Sequence, residues 1–133
     1  HRFALHAERP LAELNYRDMV DDLIAVAPTE HVADLLGSSE PIVLVEYKRE
    51  HFAARHAPLR LTLDYDLAFY DQTGKKYIST AFRQPMVDAA LIEAKGPPGC
   101  EQDVREFLYP LAPRISPFSK YFHGCQHLGL VYD

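Results

Sequence analysis

Tryptophan is absent from this chain of 133 residues, and cysteine occurs only twice. Cys100 and Cys125 are too few and too widely spaced for a disulfide scaffold, or for a zinc site with closely spaced ligands. We therefore expect two free thiols in a reducing compartment, and hence a cytoplasmic location. A continuous run of about 18 apolar residues is also missing, so the sequence predicts no membrane segment.

A surplus of positive charge is lacking as well. The 14 Lys and Arg residues are outnumbered by 19 Asp and Glu, which gives a formal net charge of -5. Because general nucleic-acid binding depends on a surplus of basic side chains, we expect no nucleic-acid partner. The overall balance still allows a local basic pocket. The seven histidines show no spacing typical of a metal site; His123 and His127 lack the glutamate of a zinc-protease motif.

What the sequence does contain is a regular alternation over residues 59–71. Apolar or aromatic residues occupy every second position: Leu59, Leu61, Leu63, Tyr65, Leu67 and Phe69. The positions between them carry Arg60, Thr62, Asp64 and Asp66. A period of two predicts a β-strand with one apolar face and one charged face.

Two further segments alternate in the same way. Residues 41–54 place Tyr47 and Arg49 on one face, and residues 90–95 place Glu93 and Lys95 on one face. Arg49, Arg60 and Lys95 converge if the three strands line one concave surface. The alternative is three half-exposed strands of an ordinary antiparallel sheet, which periodicity alone does not exclude.

Four helices are predicted around these strands. The first, of roughly 14 residues, follows Asn15 and ends at Ala27-Pro28; the second runs from Thr29 to Leu36 and ends at Gly37. The third spans residues 101–111, and the fourth begins at Ser116-Pro117 and runs to Leu128. Strands that follow one another as hairpins favour an antiparallel α+β sheet or barrel over a parallel sheet.

Four short motifs then occur in order: Y-x-R at 47–49, R-L-T-L-D at 60–64, E-x-K at 93–95 and S-K-Y at 119–121. Together they resemble the C-terminal part of the VTC domain, the polyphosphate polymerase branch of the triphosphate tunnel metalloenzymes, within the CYTH-like superfamily. The resemblance covers about residues 41–128. It implies an α+β fold built on an antiparallel β-barrel of the triphosphate tunnel type, with charged side chains inside and helices packed outside.

The resemblance also implies roles for particular side chains. Four cations would carry the catalysis: Arg49, Arg60, Lys95 and Lys120. The same four would bind the substrate together with Tyr47, Ser119 and, from a preceding strand, Arg2. Glu93 would hold Mn²⁺ or Mg²⁺. These residue types suit the chemistry, because phosphoryl transfer depends largely on positioning and on charge neutralisation by guanidinium and ammonium groups.

Structural alternatives accompany three of these assignments. Glu93 could instead form a salt bridge to Lys95 or Arg49. Tyr47 could be a half-buried packing residue rather than a phosphate donor. For Asp64 we expect a salt bridge that orients an arginine, ahead of metal binding.

The expected function is that of a polyphosphate polymerase-like phosphotransferase, which binds nucleoside triphosphate and polyphosphate or triphosphate with a divalent metal. The alternatives are a triphosphatase of the same fold and a non-catalytic polyphosphate-binding or regulatory module. Family members carry further tunnel strands before the point where this sequence starts. Residues 1–133 are therefore expected to form a single VTC-like domain without the N-terminal strands of the full barrel: a fragment, a shortened relative, or a chain that closes its sheet by self-association.

Overall fold

The structure is a computed structural model that describes residues 10–111 and 117–131. Its contacts divide the chain into two compact units. The first contains the chain up to residue 44, residues 70–84 and the chain from residue 125 onward; the second contains residues 45–69 and 85–124. The second unit holds every predicted site residue that the structure describes.

Two helices form much of the first unit. Helix α1 spans Tyr16–Ala25 and helix α2 spans Glu30–Gly37, and the two pack against each other. Each begins at a side-chain cap: Asn15 accepts a hydrogen bond from the Arg17 N–H, and Thr29 accepts one from the Val32 N–H. Helix α1 has 10 residues against the roughly 14 predicted, and it ends at Ala25 rather than at Ala27-Pro28.

Gln72 ties the turn after the central strand to α1 in the same unit. Its side chain is fully buried; Oε1 accepts hydrogen bonds from the Tyr16 hydroxyl at 2.6 Å and from the Ser79 N–H at 2.9 Å. Its Nε2 donates to the Ser79 carbonyl at 2.7 Å. Burial raises the pKa of Tyr16 to about 12, so this hydroxyl keeps its proton and remains a donor.

Four strands form one sheet around a central strand. They are β1 (Val43–Ala53), β2 (Arg60–Asp71), β3 (Gln84–Pro85) and β4 (Leu91–Lys95). Strand β2 pairs with β1 along one edge, and with β3 and β4 along the other. The prediction of an α+β fold with an antiparallel sheet is confirmed. Closure into a barrel is not: over residues 10–111 and 117–131 the sheet has four strands and stays open.

Asp66 interrupts the alternation predicted for β2. Its backbone has φ +55°, in the left-handed region, which is typical of a β-bulge when it occurs inside a strand. The four residues after it are all buried, so the alternation of an apolar and a charged face predicted for residues 59–71 is wrong beyond Asp66. The interruption lies where the partner changes: β4 pairs with β2 as far as Asp64, and the Leu67 carbonyl accepts from the Met86 N–H.

Helix α3 (Glu101–Leu108) packs on β4 in the second unit. It ends three residues before the predicted Leu111. Together with one side of β1, β2 and β4 it borders an apolar groove of about 380 Å³, whose lining includes Phe52, Leu61, Leu63, Ile92, Phe107 and Leu111. This is the apolar side of the sheet, as the alternation in the first half of β2 predicts.

Helix α4 spans Lys120–His127, so it starts later than the predicted Ser116-Pro117. Ser119 caps it: its Oγ accepts a hydrogen bond from the Phe122 N–H at 3.3 Å, and its carbonyl accepts from the His123 N–H. Ser116 itself lies outside the described residues. No helix in the part of the chain that the structure describes is long and apolar enough to cross a membrane.

Candidate anion-binding site

The other side of the sheet carries the predicted site residues. Arg60, Thr62 and Asp64 alternate along β2, and in the antiparallel register with β4 Arg60 lies opposite Lys95 and Thr62 opposite Glu93. Directly opposite residues of an antiparallel pair point to the same side. With Tyr47 and Arg49 from β1 and Lys120 from the start of α4, they form what we call the polar face: Tyr47, Arg49, Arg60, Thr62, Asp64, Glu93, Lys95 and Lys120.

Asp64 joins two of the cations. The Arg49 guanidinium donates two hydrogen bonds to its carboxylate, from Nε to Oδ1 at 2.5 Å and from Nη2 to Oδ2 at 2.7 Å. Lys120 Nζ lies 2.6 Å from Oδ2. The prediction that Asp64 forms a salt bridge to an arginine is confirmed. The hydrogen bond from Arg49, followed by the one from Lys120, lowers the pKa of Asp64, and the hydrogen bond to Asp64 raises that of Arg49. Asp64 and Arg49 are therefore both charged at neutral pH.

Tyr47 lies beside both cations of this cluster. The Arg49 guanidinium carbon is 5.1 Å from the centre of the Tyr47 ring, and Lys120 Nζ is 4.8 Å from it. Both distances are within the range of cation–π interactions. The Tyr47 side chain is 37% exposed, so it is half-buried, and part of its ring is open next to the two charges.

Arg60 and Lys95 form the other end of the polar face. They lie directly opposite each other in the β2–β4 register, and both are exposed. Lys95 Nζ lies 2.9 Å from Glu93 Oε1. This is the salt bridge expected as the structural alternative for Glu93, although both side chains are about half exposed, at 60% and 42%, where such a pair contributes little stability. Arg60 has no ion pair within residues 10–111 and 117–131.

Two of the predicted site residues, Arg2 and Ser119, are not part of the polar face. Arg2 falls outside the described residues. Ser119 is on the second unit beside Lys120, but its hydroxyl oxygen accepts the capping hydrogen bond of α4, which leaves its proton available to a ligand. The structure thus brings six of the predicted residues to one side of the sheet: Tyr47, Arg49, Arg60, Glu93, Lys95 and Lys120.

The fit of a metal to this face depends on the carboxylates. Within the described ranges no group of three or more His, Cys, Asp or Glu side chains is arranged to hold an ion. Asp64 is occupied by two cations, so Glu93 is the carboxylate of the polar face that is left for Mn²⁺ or Mg²⁺. One carboxylate suffices for Mg²⁺ only when substrate phosphates supply further oxygens. Among the described residues, the polar face therefore fits a metal whose further oxygen ligands come from a phosphate substrate.

Two features of the polar face were not expected from the sequence. One is the double use of Asp64, because Lys120 follows it by 56 positions and no short motif links them. The other is Thr62, whose Oγ1 is buried without a hydrogen-bond partner in the part of the chain described. Its position between Arg60 and Asp64 on β2 was evident, but the lack of a partner depends on packing.

These observations define an α+β domain with a cationic sheet face built from two long strands, a short strand and a helix start. The model of the VTC domain family matches residues 30–129, which is most of the chain, and the chain belongs to that family. No curated protein and no solved structure matches it. Membership connects the chain to polyphosphate in general terms, while substrate, metal and reaction belong to the proposal that follows.

Proposed function

We propose that the polar face binds a linear polyphosphate or the triphosphate of a nucleotide. The observation that carries the proposal is the cross-strand pair Arg60 and Lys95. Like charges directly opposite each other destabilise a sheet, and the exposed salt bridge from Lys95 to Glu93 offsets this repulsion only in part. A phosphate group that accepts hydrogen bonds from both would turn this repulsion into two charge-assisted contacts.

The second cation pair supports the same interpretation. Arg49 and Lys120 share the single charge of Asp64, so that cluster keeps a positive excess. Along β2 the two groups are four residues apart, which is roughly 13 Å at the usual rise per residue. A polyanion that reaches both must be elongated, with negative charge along its whole length. A linear phosphate chain has this form.

The reaction we propose is that of a polyphosphate polymerase. A terminal oxygen of the growing chain forms a bond to the γ-phosphorus of a nucleoside triphosphate, and the bond from that phosphorus to the β,γ-bridging oxygen breaks. The nucleoside diphosphate leaves with the electron pair. Arg49, Arg60, Lys95 and Lys120 would hold the non-bridging oxygens and neutralise charge on the leaving group, which is most of what this chemistry requires of a protein.

Glu93 would hold the divalent metal that the family implies. A bound Mg²⁺ or Mn²⁺ supplies Lewis-acid neutralisation of phosphate oxygens. For this to happen Glu93 must exchange its contact with Lys95, and the exposure of both side chains makes that exchange inexpensive. Released from Glu93, Lys95 would contact phosphate in turn.

A second candidate function is non-catalytic binding of polyphosphate. The observation that favours it is the same Glu93–Lys95 salt bridge, because a carboxylate retained only to orient a lysine needs no metal and no turnover. Hydrolysis of triphosphate, with water as acceptor, is the third possibility and uses the same cations. Binding is common to all three candidates, so binding is tested first.

The test of binding is thermal unfolding of the purified chain with tripolyphosphate, against sulfate at matched ionic strength. We expect tripolyphosphate to raise the melting temperature well beyond sulfate, because a ligand that binds only the folded state stabilises it. An equal effect of the two anions would overturn the proposal. Mn²⁺ without phosphate should leave the melting temperature unchanged.

The metal and the reaction need a second comparison. We expect Mn²⁺ to add to the shift produced by tripolyphosphate. Glu93→Gln should remove that addition, while the metal-free shift stays the same or becomes larger because Lys95 is released from its salt bridge. Glu13→Gln, a change of the same type at an exposed site on the first unit, is the control. Incubation with nucleoside triphosphate, followed by ³¹P NMR, then separates chain growth from release of inorganic phosphate and from no turnover at all.

A further inference from the structure

We propose that Asp64 is a positioning residue that holds Arg49 and Lys120 in place for the incoming anion. The inference rests on the proposed function and assigns a role to a carboxylate within an anion site. The carboxylate is 1% exposed, whereas the Arg49 and Lys120 side chains are 24% and 21% exposed. Asp64 is therefore more deeply buried than the two cations, and each cation keeps part of its side-chain surface open to solvent.

The hydrogen-bond donors left over support this role. A guanidinium has five N–H groups, and Asp64 uses one on Nε and one on Nη2, so both N–H groups of Nη1 and one of Nη2 remain. The Lys120 ammonium has three donors and gives one to Asp64. Five donors in a fixed arrangement remain available, enough for several phosphate oxygens.

The orientation of Arg49 is set from both sides. Asp64 fixes one edge of the guanidinium through two parallel hydrogen bonds, and the Tyr47 ring lies 5.1 Å from its central carbon. Because Arg and Lys side chains lose much rotamer freedom when they bind a ligand, a cation that is already held loses less. Fixing two such side chains with a single buried carboxylate is an arrangement that favours ligand affinity.

An effect of Asp64 through charge and an effect through positioning predict opposite changes in polyanion affinity when the carboxylate is removed. If only the total charge of the face matters, removal of this carboxylate should strengthen the binding of a polyanion. If Asp64 positions the cations, its removal should weaken binding even though the face becomes more positive. The sign of the change therefore distinguishes the two accounts.

The experiment compares Asp64→Asn with Asp66→Asn. Both remove one negative charge from β2 and keep the side-chain shape, but Asp66 pairs with Lys48 at 2.9 Å and is outside the Arg49–Lys120 cluster. Tripolyphosphate affinity is measured by calorimetry at constant ionic strength. We expect about tenfold weaker binding for Asp64→Asn, the effect of losing a hydrogen bond to a charged group, and equal or slightly tighter binding for Asp66→Asn.

Binding by Asp64→Asn that is equal to or tighter than that of the wild type would overturn the positioning role and leave the proposed function intact. Absence of binding in the wild type would overturn both. A measurement without ligand covers the case in which Asp64→Asn fails to fold: ¹⁵N relaxation of the Arg49 Nε in the wild-type chain. We expect a rigid Nε, and a mobile one would refute positioning by itself.

Discussion

Arg60 is a cation of the polar face whose loss should separate binding from folding. It is exposed and has no ion pair in the described ranges, and it lies opposite another cation. We expect Arg60→Ala to leave the melting temperature unchanged or slightly higher, because a repulsion is removed, and to weaken tripolyphosphate binding by about tenfold or more. Calorimetry measures the affinity and thermal unfolding measures the melting temperature, both on the same preparation.

Arg17→Ala is the matched control for that variant, since it removes one exposed positive charge from α1 in the other unit. It should retain binding. Unfolding of Arg60→Ala would mean that Arg60 supports the sheet, and the anion site would then lose its main argument. Equal loss of affinity in both variants would mean that net charge, rather than the polar face, controls binding.

Asp64 should make folding stability depend on pH in the acid range. Arg49 and Lys120 lower its pKa in the folded state below the ordinary value of 3.8. A carboxylate of lowered folded pKa contributes stability that is fully present above the unfolded pKa and is lost as pH falls through the folded pKa. The free energy of unfolding should therefore decrease as pH falls below about 4.

Urea unfolding at a series of pH values from about 2 to 6 measures this decrease. Asp71 and Glu101 also have lowered pKa values, so both proteins in a comparison will lose some stability in acid. The difference between wild type and Asp64→Asn isolates the part due to Asp64. It should be largest at neutral pH and shrink toward pH 2; a difference that is constant with pH would contradict the assignment.

Residue types and spacing predicted most of the candidate site but not its connections. Alternation placed Arg60 on a charged face, Arg49 on one face with Tyr47, and Lys95 on one face with Glu93, because a strand's period of two follows from backbone geometry. The second partner of Asp64 could not be predicted, since Lys120 belongs to a distant helix whose placement depends on tertiary packing. Gln72 is a similar case: its setting in a turn gave no sign that its amide would be buried.

At the scale of elements, the left-handed residue in β2 has the clearest consequence. Asp66 has φ +55°, a conformation that Asp, Asn and Gly tolerate and β-branched residues do not. We expect Asp66→Val to destabilise the protein by about 1–2 kcal/mol and Asp66→Gly to be close to neutral. Chemical denaturation of the two variants measures the difference directly.

The Lys48–Asp66 salt bridge is lost in both variants, and it is exposed, so it cancels in the comparison. If valine and glycine at position 66 were equally stable, the backbone would not be fixed in the left-handed region. The uninterrupted strand predicted from the sequence would then be the better description of β2.

The four helices and the strands β1, β2 and β4 were predictable in their order, less so in their ends, and the short strand β3 was not predicted. Caps at Asn15 and Thr29 marked two helix starts, because a side-chain acceptor there satisfies an otherwise unpaired N–H. Alternation in β2 misled beyond Asp66, since four consecutive buried residues show no period of two. Alternating hydrophobicity indicates which face of a strand is buried only as long as the backbone remains regular.

At the scale of the whole molecule, polyanion binding depends on the contrast between the overall charge and the charge of the polar face. The chain has a formal net charge of -5, yet the polar face has four cations and two carboxylates. A polyanion is therefore repelled by most of the protein and attracted by one side of the sheet. Both interactions are screened by salt, but the nearby contacts dominate binding.

We expect tripolyphosphate affinity to fall steadily as salt rises from about 0.05 M to about 0.5 M, because the Debye length shortens over this range. Lys95→Gln removes one of the contacting charges and should give a smaller slope of log affinity against log salt. Calorimetry at four salt concentrations checks both expectations. An affinity independent of salt would indicate that the cations do not contact the ligand.

The open aromatic ring of Tyr47 offers a practical use. The natural ultraviolet emission of this chain comes from eight tyrosines, since it has no tryptophan. Tyr47→Trp would place a single indole where two positive side chains meet. When this indole is excited selectively, its emission wavelength and intensity should change as a bound phosphate chain screens the neighbouring charges. The variant would act as a built-in optical sensor, able to follow ligand arrival in milliseconds and to screen many compounds without a label.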